Sequence, residues 1–315
     1  MDNYIEPFFK LNIPDTVEGA PAISYSQYST YAKCPHRWKV TYADKKRKPT
    51  HSIATVFGTA MHEVLQEWLT ELFNGSVATS DAMDLHGMLK EKMSSEYLKC
   101  LEDFNGEHFS NRTEMMEFYN DGIAIIEWVK RRRHEFFSRK EYELIGIEVP
   151  IYMPVEEGKN VYMRGYIDLV LKDKATGEYI IYDIKTSRQG WNKWMKADKL
   201  KISQVILYKI YFAKQFDIPV EKVKLKYFIV KRKLLEGYMY PQKRATEFTP
   251  ASGKPSQNKV MKDVQAFVER CFNEDGTHNT EGVFNPVAGK SNKNCKWCPF
   301  KEDYELCPKS DRLKE

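Results

Sequence analysis

The feature that most constrains the fold is a run of three strand-like segments in the middle of the chain. Residues 143–153, 161–173 and 177–187 are rich in apolar, β-branched and aromatic side chains, which is typical of β-strands. The links between them, EEGKN at 156–160 and KATGE at 174–178, are short and turn-forming. Because parallel neighbours need a crossover of about a dozen residues or more, these links predict an antiparallel three-stranded meander.

Helical patterns lie on both sides of the meander. Apolar residues recur at helical spacing before it, and they predict an amphipathic helix at 57–73. The other predicted elements are a wholly helical stretch at 81–139, a helix at 198–215, a fourth strand around 223–229, a loop at 236–258 and a helix at 259–273. We therefore predict a single α/β domain, 1–315, whose core runs helix, three-stranded antiparallel meander, helix, strand. Residues 75–140 are expected to form a helical insertion in this core.

The composition is that of a globular chain with a modest positive charge. Of the 315 residues 42% are hydrophobic, and the formal net charge is +5. No transmembrane helix or signal peptide is evident, so we expect a cytoplasmic protein with no membrane partner and with cysteines as thiols or metal ligands. Basic runs, several with aromatic neighbours, occur at 44–48, 130–133, 193–201 and 224–233. Each run alone is typical of a solvated surface, and together they favour nucleic acid as the partner.

Two acidic residues interrupt otherwise apolar strands. Asp168 lies in GYIDLVL and Asp183 in YIIYDIKTS, where Lys185 follows two residues later. Residues two apart on a strand share a face, and a hairpin would set Asp168 beside Asp183. Converging carboxylates make an oxygen site for Mg²⁺ or Mn²⁺, and a nearby ammonium can orient a water or stabilise a phosphate. Glu148, on the preceding strand, is a candidate third acid.

The simpler interpretation of these residues is structural. Asp183 and Lys185 can form an ordinary salt bridge at a strand end, and for this short motif alone that interpretation is the stronger. The order of features along the chain favours a catalytic site instead. Asp168 is followed by a turn, by the Asp183–Lys185 pair and by a helix on which Gln204 and Tyr208 lie one turn apart.

Three cysteines lie close together in the segment NCKWCPFKEDYELCP. Cys295 and Cys298 form a Cys-x-x-Cys pair, and Cys307 follows. Thiolate sites for zinc or for a four-iron four-sulfur cluster usually have four ligands, so a fourth must come from elsewhere. Spacing alone does not distinguish the two metals.

The three other cysteines differ in their surroundings. Cys34 precedes Pro35 at the end of a helix that Ser24 or Ser26 could cap. The remaining two lie in helical patterns typical of buried thiols, at Cys100 and Cys271.

One segment is similar to a nucleotide-binding loop but lacks an essential glycine. VAGKSNK, at 287–293, contains the final Gly-Lys-Ser of that motif. The full motif needs a second glycine where this chain has Phe284. We therefore expect no ATPase motor in this chain.

Six segments, in this order, resemble the PD-(D/E)xK nuclease superfamily. They are SYSQYSTYAKCPHRWKV, FGTAMHEVLQ, GYIDLV, YDIKTS, QVILY and the Cys-x-x-Cys with its following Cys-Pro. More narrowly, the chain resembles the branch with RecB- and AddB-type nuclease domains and CRISPR-associated single-domain exonucleases. The resemblance covers most of the chain. The namesake proline is absent, since Ile167 precedes Asp168, and residues 75–140 do not align.

The resemblance implies a role for each matching residue of the central site. His62, Asp168 and Asp183 would bind a catalytic Mg²⁺ or Mn²⁺, together with the backbone carbonyl of Ile184. Lys185 would position the attacking water or balance charge on the scissile phosphate.

Further residues would support this site or contact DNA. Gln204 and Tyr208 would face the site and contact DNA or the lysine, although for Tyr208 simple packing of the helix on the sheet remains open. Glu148 would ligate the metal or stand as an exposed strand residue. Three residues are candidates for the DNA backbone, with strand capping or a surface position as the alternative: Arg164, Thr186 and Arg188.

The resemblance also supplies Cys34 as the fourth thiolate. The four cysteines would hold a structural 4Fe-4S cluster, with zinc as the less favoured alternative. The cysteine-rich tail at 274–315 would then dock on residues 24–41 and close a loop around the nuclease core.

The function implied is a metal-dependent DNA exonuclease that acts on DNA ends in recombination, repair or replication, in a phage or a prokaryote. Trimming of prespacers during CRISPR adaptation is an alternative with the same chemistry. A non-catalytic DNA-binding subunit and a zinc-stabilised interaction module are alternatives of other classes.

Overall fold

The computed structural model describes residues 22–156 and 160–314. The first residues, in which no signal peptide is evident, and most of the predicted EEGKN link lie outside this described part. Within it, no helix combines the length and the apolar character that a membrane crossing requires.

The described chain contains helices of very different lengths, numbered here α1 to α9. Their bounds are α1 Tyr25–Lys33, α2 Pro35–Trp38, α3 Ile53–Asn74, α4 Val77–Ala82, α5 Leu85–Asp103, α6 Arg112–Arg132, α7 Lys193–Lys196, α8 Lys199–Gln215 and α9 Lys254–Cys271. α1 ends before Pro35, as predicted, and the hydroxyl of Ser24 accepts a hydrogen bond from the Gln27 backbone N–H at its start.

One mixed sheet contains six strands of the described chain. Their bounds are β1 Ala22–Ile23, β2 Tyr142–Pro154, β3 Tyr162–Asp173, β4 Tyr179–Ser187, β5 Val223–Lys231 and β6 Ala245–Phe248. β2, β3 and β4 are antiparallel neighbours, which confirms the predicted meander, and β5 runs parallel to β4. β6 pairs antiparallel with β5, and β1 pairs parallel with β3.

One edge of β3 is open over a short segment. β2 pairs with β3 along nearly its whole length, so β1 and β4 lie along the opposite edge. β1 covers the first two residues of β3 and β4 covers 169–172, and among the described strands none pairs with 164–168 on that edge. Continuing the register places Asp183 opposite Asp168, at the point where β3 and β4 separate. We call this opening the sheet gap.

The sheet separates two hydrophobic cores. α1, α8 and α9 pack on one face, and α3, α5 and α6 pack on the other. On β3, Ile167 belongs to the first core and Leu169 to the second, although residues two apart on a regular strand share a face. The pleat is therefore interrupted at Asp168, and the sheet gap lies where both helical layers can reach it.

The helical insertion departs from the prediction. Residues 81–139 are not wholly helical, because the helical conformation is interrupted before α5 and again at 104–111. Asp84 and Asn111 accept backbone N–H bonds and cap the next helices, so each break has a local polar cause. α3 also begins at Ile53, earlier than the predicted 57, because Ser52 forms a capping box with its first turn.

The predicted loop at 236–258 is also wrong in part. It contains β6, and α9 begins at Lys254 rather than at 259. Pro255 falls in the first turn of α9, where the missing N–H of proline costs nothing. β1 has two residues and is too short for a strand pattern to be visible in the sequence.

Candidate active site

The sheet gap is organised around Asp168. Its Oδ2 accepts a hydrogen bond from the Ile184 backbone N–H at 2.6 Å, which replaces the strand pairing that stops at Leu169. Burial raises the pKa of Asp168 to about 6, against the lowering effects of the Lys185 ammonium and the Ile184 N–H. The negative charge of this carboxylate is therefore incompletely compensated by its surroundings.

Asp183 is buried, and its charge is also poorly matched. Its side chain is 1% exposed, and its Oδ2 lies 2.7 Å from Nζ of Lys185. Neither carboxylate oxygen has a well-oriented hydrogen-bond donor in the described part of the chain. Burial raises the pKa of Asp183 to about 6 against the lowering effect of Lys185, and Asp168 raises it further. The Asp183–Lys185 salt bridge that the structural interpretation predicts is therefore present. It leaves the Asp183 oxygens without well-oriented hydrogen-bond donors in the described chain.

Lys185 carries the positive charge of the site. Burial acts to lower its pKa, but Asp183 and Asp168 outweigh burial and raise it. The side chain is 32% exposed, so part of it is open to solvent while its ammonium lies beside Asp183. It can therefore meet an incoming anion while it remains paired with Asp183.

His62 reaches the sheet gap from α3. Its Nδ1 lies 3.6 Å from Oδ2 of Asp168. Burial and the charge of Lys185 lower the pKa of His62, while a hydrogen bond with the backbone of Ile184 acts in the opposite direction. The neutral imidazole, which is the form that ligates metals, is therefore favoured. We call His62, Asp168, Asp183 and Lys185 the carboxylate site.

Glu148 is an exposed strand residue that lies next to the carboxylate site. The register on either side places it opposite Asp168. Its φ of +50° is in the left-handed region, which is uncommon for a residue with a side chain and costs energy within a strand. Gln66 Nε2 donates to Oε1 of Glu148 at 2.5 Å and to the Asp168 carbonyl at 3.1 Å. Gln66 therefore fixes both acidic strands to α3.

α8 approaches the sheet gap from the other helical layer. Gln204 Nε2 donates to the hydroxyl of Tyr208 at 3.4 Å. Burial raises the pKa of Tyr208, and Asp183 is among the negative charges that raise it further. A Cβ added at Gly165 would lie 2.9 Å from a ring carbon of Tyr208. The glycine therefore allows this ring to lie directly against the open segment of β3.

The three other candidate DNA contacts lie at different places around the site. Oγ1 of Thr186 would be 3.3 Å from a Cβ added at Gly58, so it faces the start of α3. Arg164 lies on the open segment of β3, with its guanidinium 6.0 Å from the Tyr166 ring centroid. Arg188 is exposed just beyond the end of β4.

The donors at the carboxylate site suit a hard divalent cation in their chemistry. Carboxylate oxygens and an imidazole are accepted ligands for Mg²⁺ or Mn²⁺, and the unmatched oxygens of Asp183 lack what a cation would supply. As they stand, no three His, Cys, Asp or Glu side chains of residues 22–156 and 160–314 are grouped closely enough to hold a metal ion. Lys185 Nζ instead provides the positive charge beside Asp183.

The four predicted cysteine ligands line one small cavity, where the C-terminal tail meets the N-terminal part of the described chain. We call Cys34, Cys295, Cys298 and Cys307 the cysteine site. Sγ of Cys34 accepts hydrogen bonds from the backbone N–H of Arg37, at 3.4 Å, and from that of Val287 in the tail, at 3.3 Å.

Polar contacts hold the tail against the first helices. Asn294 Nδ2 donates to the carbonyl of Lys33 at 2.7 Å. The two ring nitrogens of His36 lie 3.2 Å from the carbonyl oxygen of Phe284 and 2.7 Å from that of Leu306.

The cysteines of the described chain are free thiols. Burial raises the pKa of Cys295 and of Cys298, and the other cysteines of the site also contribute to this rise. Four thiols around one cavity, with N–H donors to one sulfur, fit a tetrathiolate group in their chemistry. The side chains as placed do not form a closed ligand set.

Two residues that position the carboxylate site were not among the sequence-based candidates. Gln66 lies four residues after His62, so the helical period places both on one face of α3, and this signal was available in FGTAMHEVLQ. Gly165 precedes Asp168 within GYIDLV, but its contact with Tyr208 depends on long-range packing. No local pattern could have shown that contact.

A mixed sheet brings two buried carboxylates, a lysine and a histidine to one gap, and titratable groups gathered in this way mark a candidate active site. The family model of the PD-(D/E)XK nuclease superfamily matches residues 22–307, and the chain belongs to this superfamily. Membership implies a nuclease that acts on DNA, and nucleases of this superfamily typically use Mg²⁺ or Mn²⁺. Among curated proteins no match is found.

Proposed function

We propose that this chain is a divalent-metal-dependent exonuclease that hydrolyses phosphodiester bonds at DNA ends. The proposal rests on the pair of buried carboxylates, Asp168 and Asp183, with raised pKa values at an opening of the sheet. Burying charges without full compensation costs stability, and such groups concentrate at functional sites. The nuclease family and the basic runs along the chain support DNA as the substrate.

The residues of the carboxylate site have separate proposed roles. His62, Asp168 and Asp183 would hold Mg²⁺ or Mn²⁺, together with the carbonyl of Ile184. The bound metal would polarise the scissile phosphate and lower the pKa of a water molecule. Lys185 would hold that water or neutralise the phosphate, since its ammonium lies 2.7 Å from Oδ2 of Asp183 and its side chain is partly exposed.

The surrounding residues would act through these groups or on the DNA strand. Glu148 is the proposed third acid, held in place by Gln66. Gln204 and Tyr208 would support Lys185 or contact the strand. The proposed contacts to DNA phosphates are Arg164, Thr186 and Arg188.

We also propose a structural 4Fe-4S cluster at the cysteine site, with zinc as the alternative metal. Support comes from the single cavity that the four cysteines line. One Cys-x-x-Cys pair with two isolated cysteines differs from the two such pairs of a typical zinc ribbon. This difference, together with the resemblance to the RecB- and AddB-type branch, favours iron–sulfur. Cross-linking Cys34 to the tail would constrain the unfolded chain and stabilise the fold.

The resemblance to the RecB- and AddB-type branch supports a role in recombination, repair or replication. Trimming of CRISPR prespacers would use the same site and chemistry. By the same resemblance we propose a separate helicase, annealing protein or single-strand-binding protein as partner. In this chain VAGKSNK lacks a glycine that a nucleotide-binding loop needs.

The test is a nuclease assay on end-labelled single-stranded and double-stranded linear DNA and on a closed circle, with Mg²⁺ or Mn²⁺. We expect the wild-type chain to degrade the linear substrates and to leave the circle intact. Asp183→Ala should be inactive, while Asp263→Ala is a matched control, because this aspartate pairs with Lys259 on the surface of α9. A wild-type chain inert with both metals, or an Asp183→Ala variant that cuts equally well, would contradict the proposal.

A further inference from the structure

Large hydrophobic side chains are unusually exposed at two places beyond the ends of β4 and β5. Tyr238, Met239 and Tyr240 are 60%, 88% and 71% exposed, and Trp194 is 73% exposed. Water-facing aromatic side chains in close succession do not contribute to a core, and such concentrations mark interaction surfaces. We call residues 235–242 the aromatic loop and residues 188–196 the tryptophan segment.

The aromatic loop is closed at its base by specific hydrogen bonds. The side chain of Gln242 accepts from the Leu235 backbone N–H at 2.9 Å and donates to the Leu235 carbonyl at 2.7 Å. Arg244 Nη1 donates to the carbonyl of Arg232 at 2.9 Å, one step nearer to β5. The exposed residues therefore lie at the tip of a loop whose two ends are fastened together.

The tryptophan segment is also anchored. The ring of Trp191 packs on Tyr227 of β5, with centroids 4.7 Å apart. Trp194 instead faces outward, and Nζ of Lys193 lies 4.9 Å from its ring centroid. The Asn192 side chain caps the short helix that carries Trp194. One aromatic ring thus fixes the segment while the other stays available.

Both segments leave the sheet at the same edge, next to the carboxylate site. β4 and β5 are parallel, so their C-terminal ends lie together, with Ser187 paired with Lys231. Ser187 lies two residues beyond Lys185, which corresponds to about 7 Å along a strand. Backbone bonds join the two exits, since the Lys233 N–H donates to the Arg188 carbonyl at 2.7 Å. A bound polymer that extended from the carboxylate site past this edge of the sheet would therefore meet these segments first.

The charge around these rings suits a polyanion. The tryptophan segment contains Arg188, Lys193 and Lys196 and no acidic residue. Lys231 of β5 lies beside it, since a Cβ added at Gly190 would be 2.8 Å from Cε of Lys231. The aromatic loop contains one acid, Glu236, and no basic residue, so the cations next to the rings belong to the tryptophan segment. Exposed rings interleaved with cations are the combination that binds single-stranded nucleic acid, where bases stack and phosphates meet positive charge.

We propose that the aromatic loop and Trp194 form a stacking surface for the unpaired bases of a single-stranded DNA extension beside the carboxylate site. This inference rests on the proposed nuclease function and assigns it a preference for DNA ends with single-stranded extensions. Aromatic stacking accepts every base, so binding should depend little on sequence. A blunt duplex, with its bases already stacked in pairs, offers no ring partner.

The test measures binding without cleavage, by fluorescence anisotropy in EDTA. The probes are a labelled single-stranded oligonucleotide and a blunt duplex of equal length. In the full-length chain, Tyr238→Ala with Tyr240→Ala should weaken single-strand binding by about tenfold or more, and Trp194→Ala should weaken it further. Phenylalanine at both tyrosine positions should restore binding, since a phenyl ring still stacks. Blunt-duplex binding should change less than twofold.

Leu98→Ala is the matched control, because Leu98 is 61% exposed on α5, outside the aromatic loop and the tryptophan segment. It should leave both affinities unchanged. Equal single-strand affinity of the double alanine variant and wild type would overturn the inference, as would a self-associating chain whose dimer dissociates in that variant. If the wild-type chain shows no cleavage but the double alanine variant still loses single-strand binding, the stacking surface stands and the nuclease proposal is rejected.

Discussion

The carboxylate site and the cysteine site are built on opposite kinds of scaffold. Asp168 and Asp183 project from strands within a hydrogen-bonded sheet, and the surrounding cores hold them in place. Three of the four cysteines lie instead in a tail of turns and short 3₁₀ segments. Regular secondary structure positions the carboxylate site, whereas the cysteine site depends on contacts between the tail and the first helices and on the proposed metal.

The two sites therefore have opposite relations to stability. Carboxylates with raised pKa values oppose folding at neutral pH, and a protein keeps such groups for function. A cross-link between Cys34 and the tail would favour folding and need not touch the substrate. Changes at the first site should reduce activity more than stability, and changes at the second should do the reverse.

The largest expected effect is on activity at the carboxylate site. Lys185→Ala removes the cation that pairs with Asp183. We expect the cleavage rate with Mg²⁺ or Mn²⁺ to fall by roughly a thousandfold, the scale for losing a positioned group that stabilises charge. Single-turnover cleavage of end-labelled DNA measures this rate. A reduction below threefold in a folded variant would reject the proposed role of Lys185.

The next effect is on stability at the cysteine site. Cys34→Ser should abolish stoichiometric metal and lower the melting temperature by about 5–10 °C, the scale for losing a native cross-link in a domain of this size. Cys100→Ser is the control, since this cysteine lies on α5, outside that cavity. Metal analysis and calorimetry on anaerobically purified protein measure both quantities. Unchanged iron, zinc and melting temperature in Cys34→Ser would contradict a shared site.

A smaller effect of opposite sign is expected for Asp183→Asn in metal-free protein. The pKa of Asp183 rises from 3.8 to about 6 on folding, so its contribution to stability is largest below pH 3.8 and is lost as pH rises through 6. An asparagine cannot ionise. At pH 8 the variant should be more stable than wild type by on the order of 3 kcal/mol, and at pH 3.5 the difference should nearly vanish. Urea unfolding at the two pH values decides the sign.

The smallest effect concerns the ring that lies against the open segment of β3. Gly165→Ala would place a Cβ 2.9 Å from the Tyr208 ring and displace it. We expect a severalfold loss of cleavage with little change in melting temperature. Gly253→Ala is the control, since its added Cβ would meet nothing closer than 3.8 Å. Equal loss in both variants would show that Tyr208 has no special position.

The sequence predicts the meander because each of its strands is long, apolar and joined to the next by a short turn. Asp168, Asp183 and Lys185 were identifiable as candidates because charges within such strands are uncommon. The sheet gap was not predictable. It depends on β1, which is far from β3 in the sequence but shares an edge of β3 with β4. The two residues of β1 are too few to show a recognisable strand pattern.

The positive φ of Glu148 was equally unpredictable from the sequence, because at a glutamate it is imposed by packing rather than by residue type. Gln66 was accessible from the helical period, but only contacts across the sheet show that it holds Glu148. The capping residues Asp84 and Asn111 were visible in the sequence, and they account for the helix breaks that the apolar pattern did not show.

Calorimetric titration of Mn²⁺ into metal-free wild type and Asp183→Asn tests the central claim most directly. If His62, Asp168 and Asp183 form a cation site, the wild-type chain should bind Mn²⁺ and release protons at pH 6, where both carboxyls are partly protonated. Affinity should fall below pH 6, and Asp183→Asn should lose at least about tenfold in affinity. Equal Mn²⁺ affinity in the two proteins, or no binding to wild type, would contradict the account.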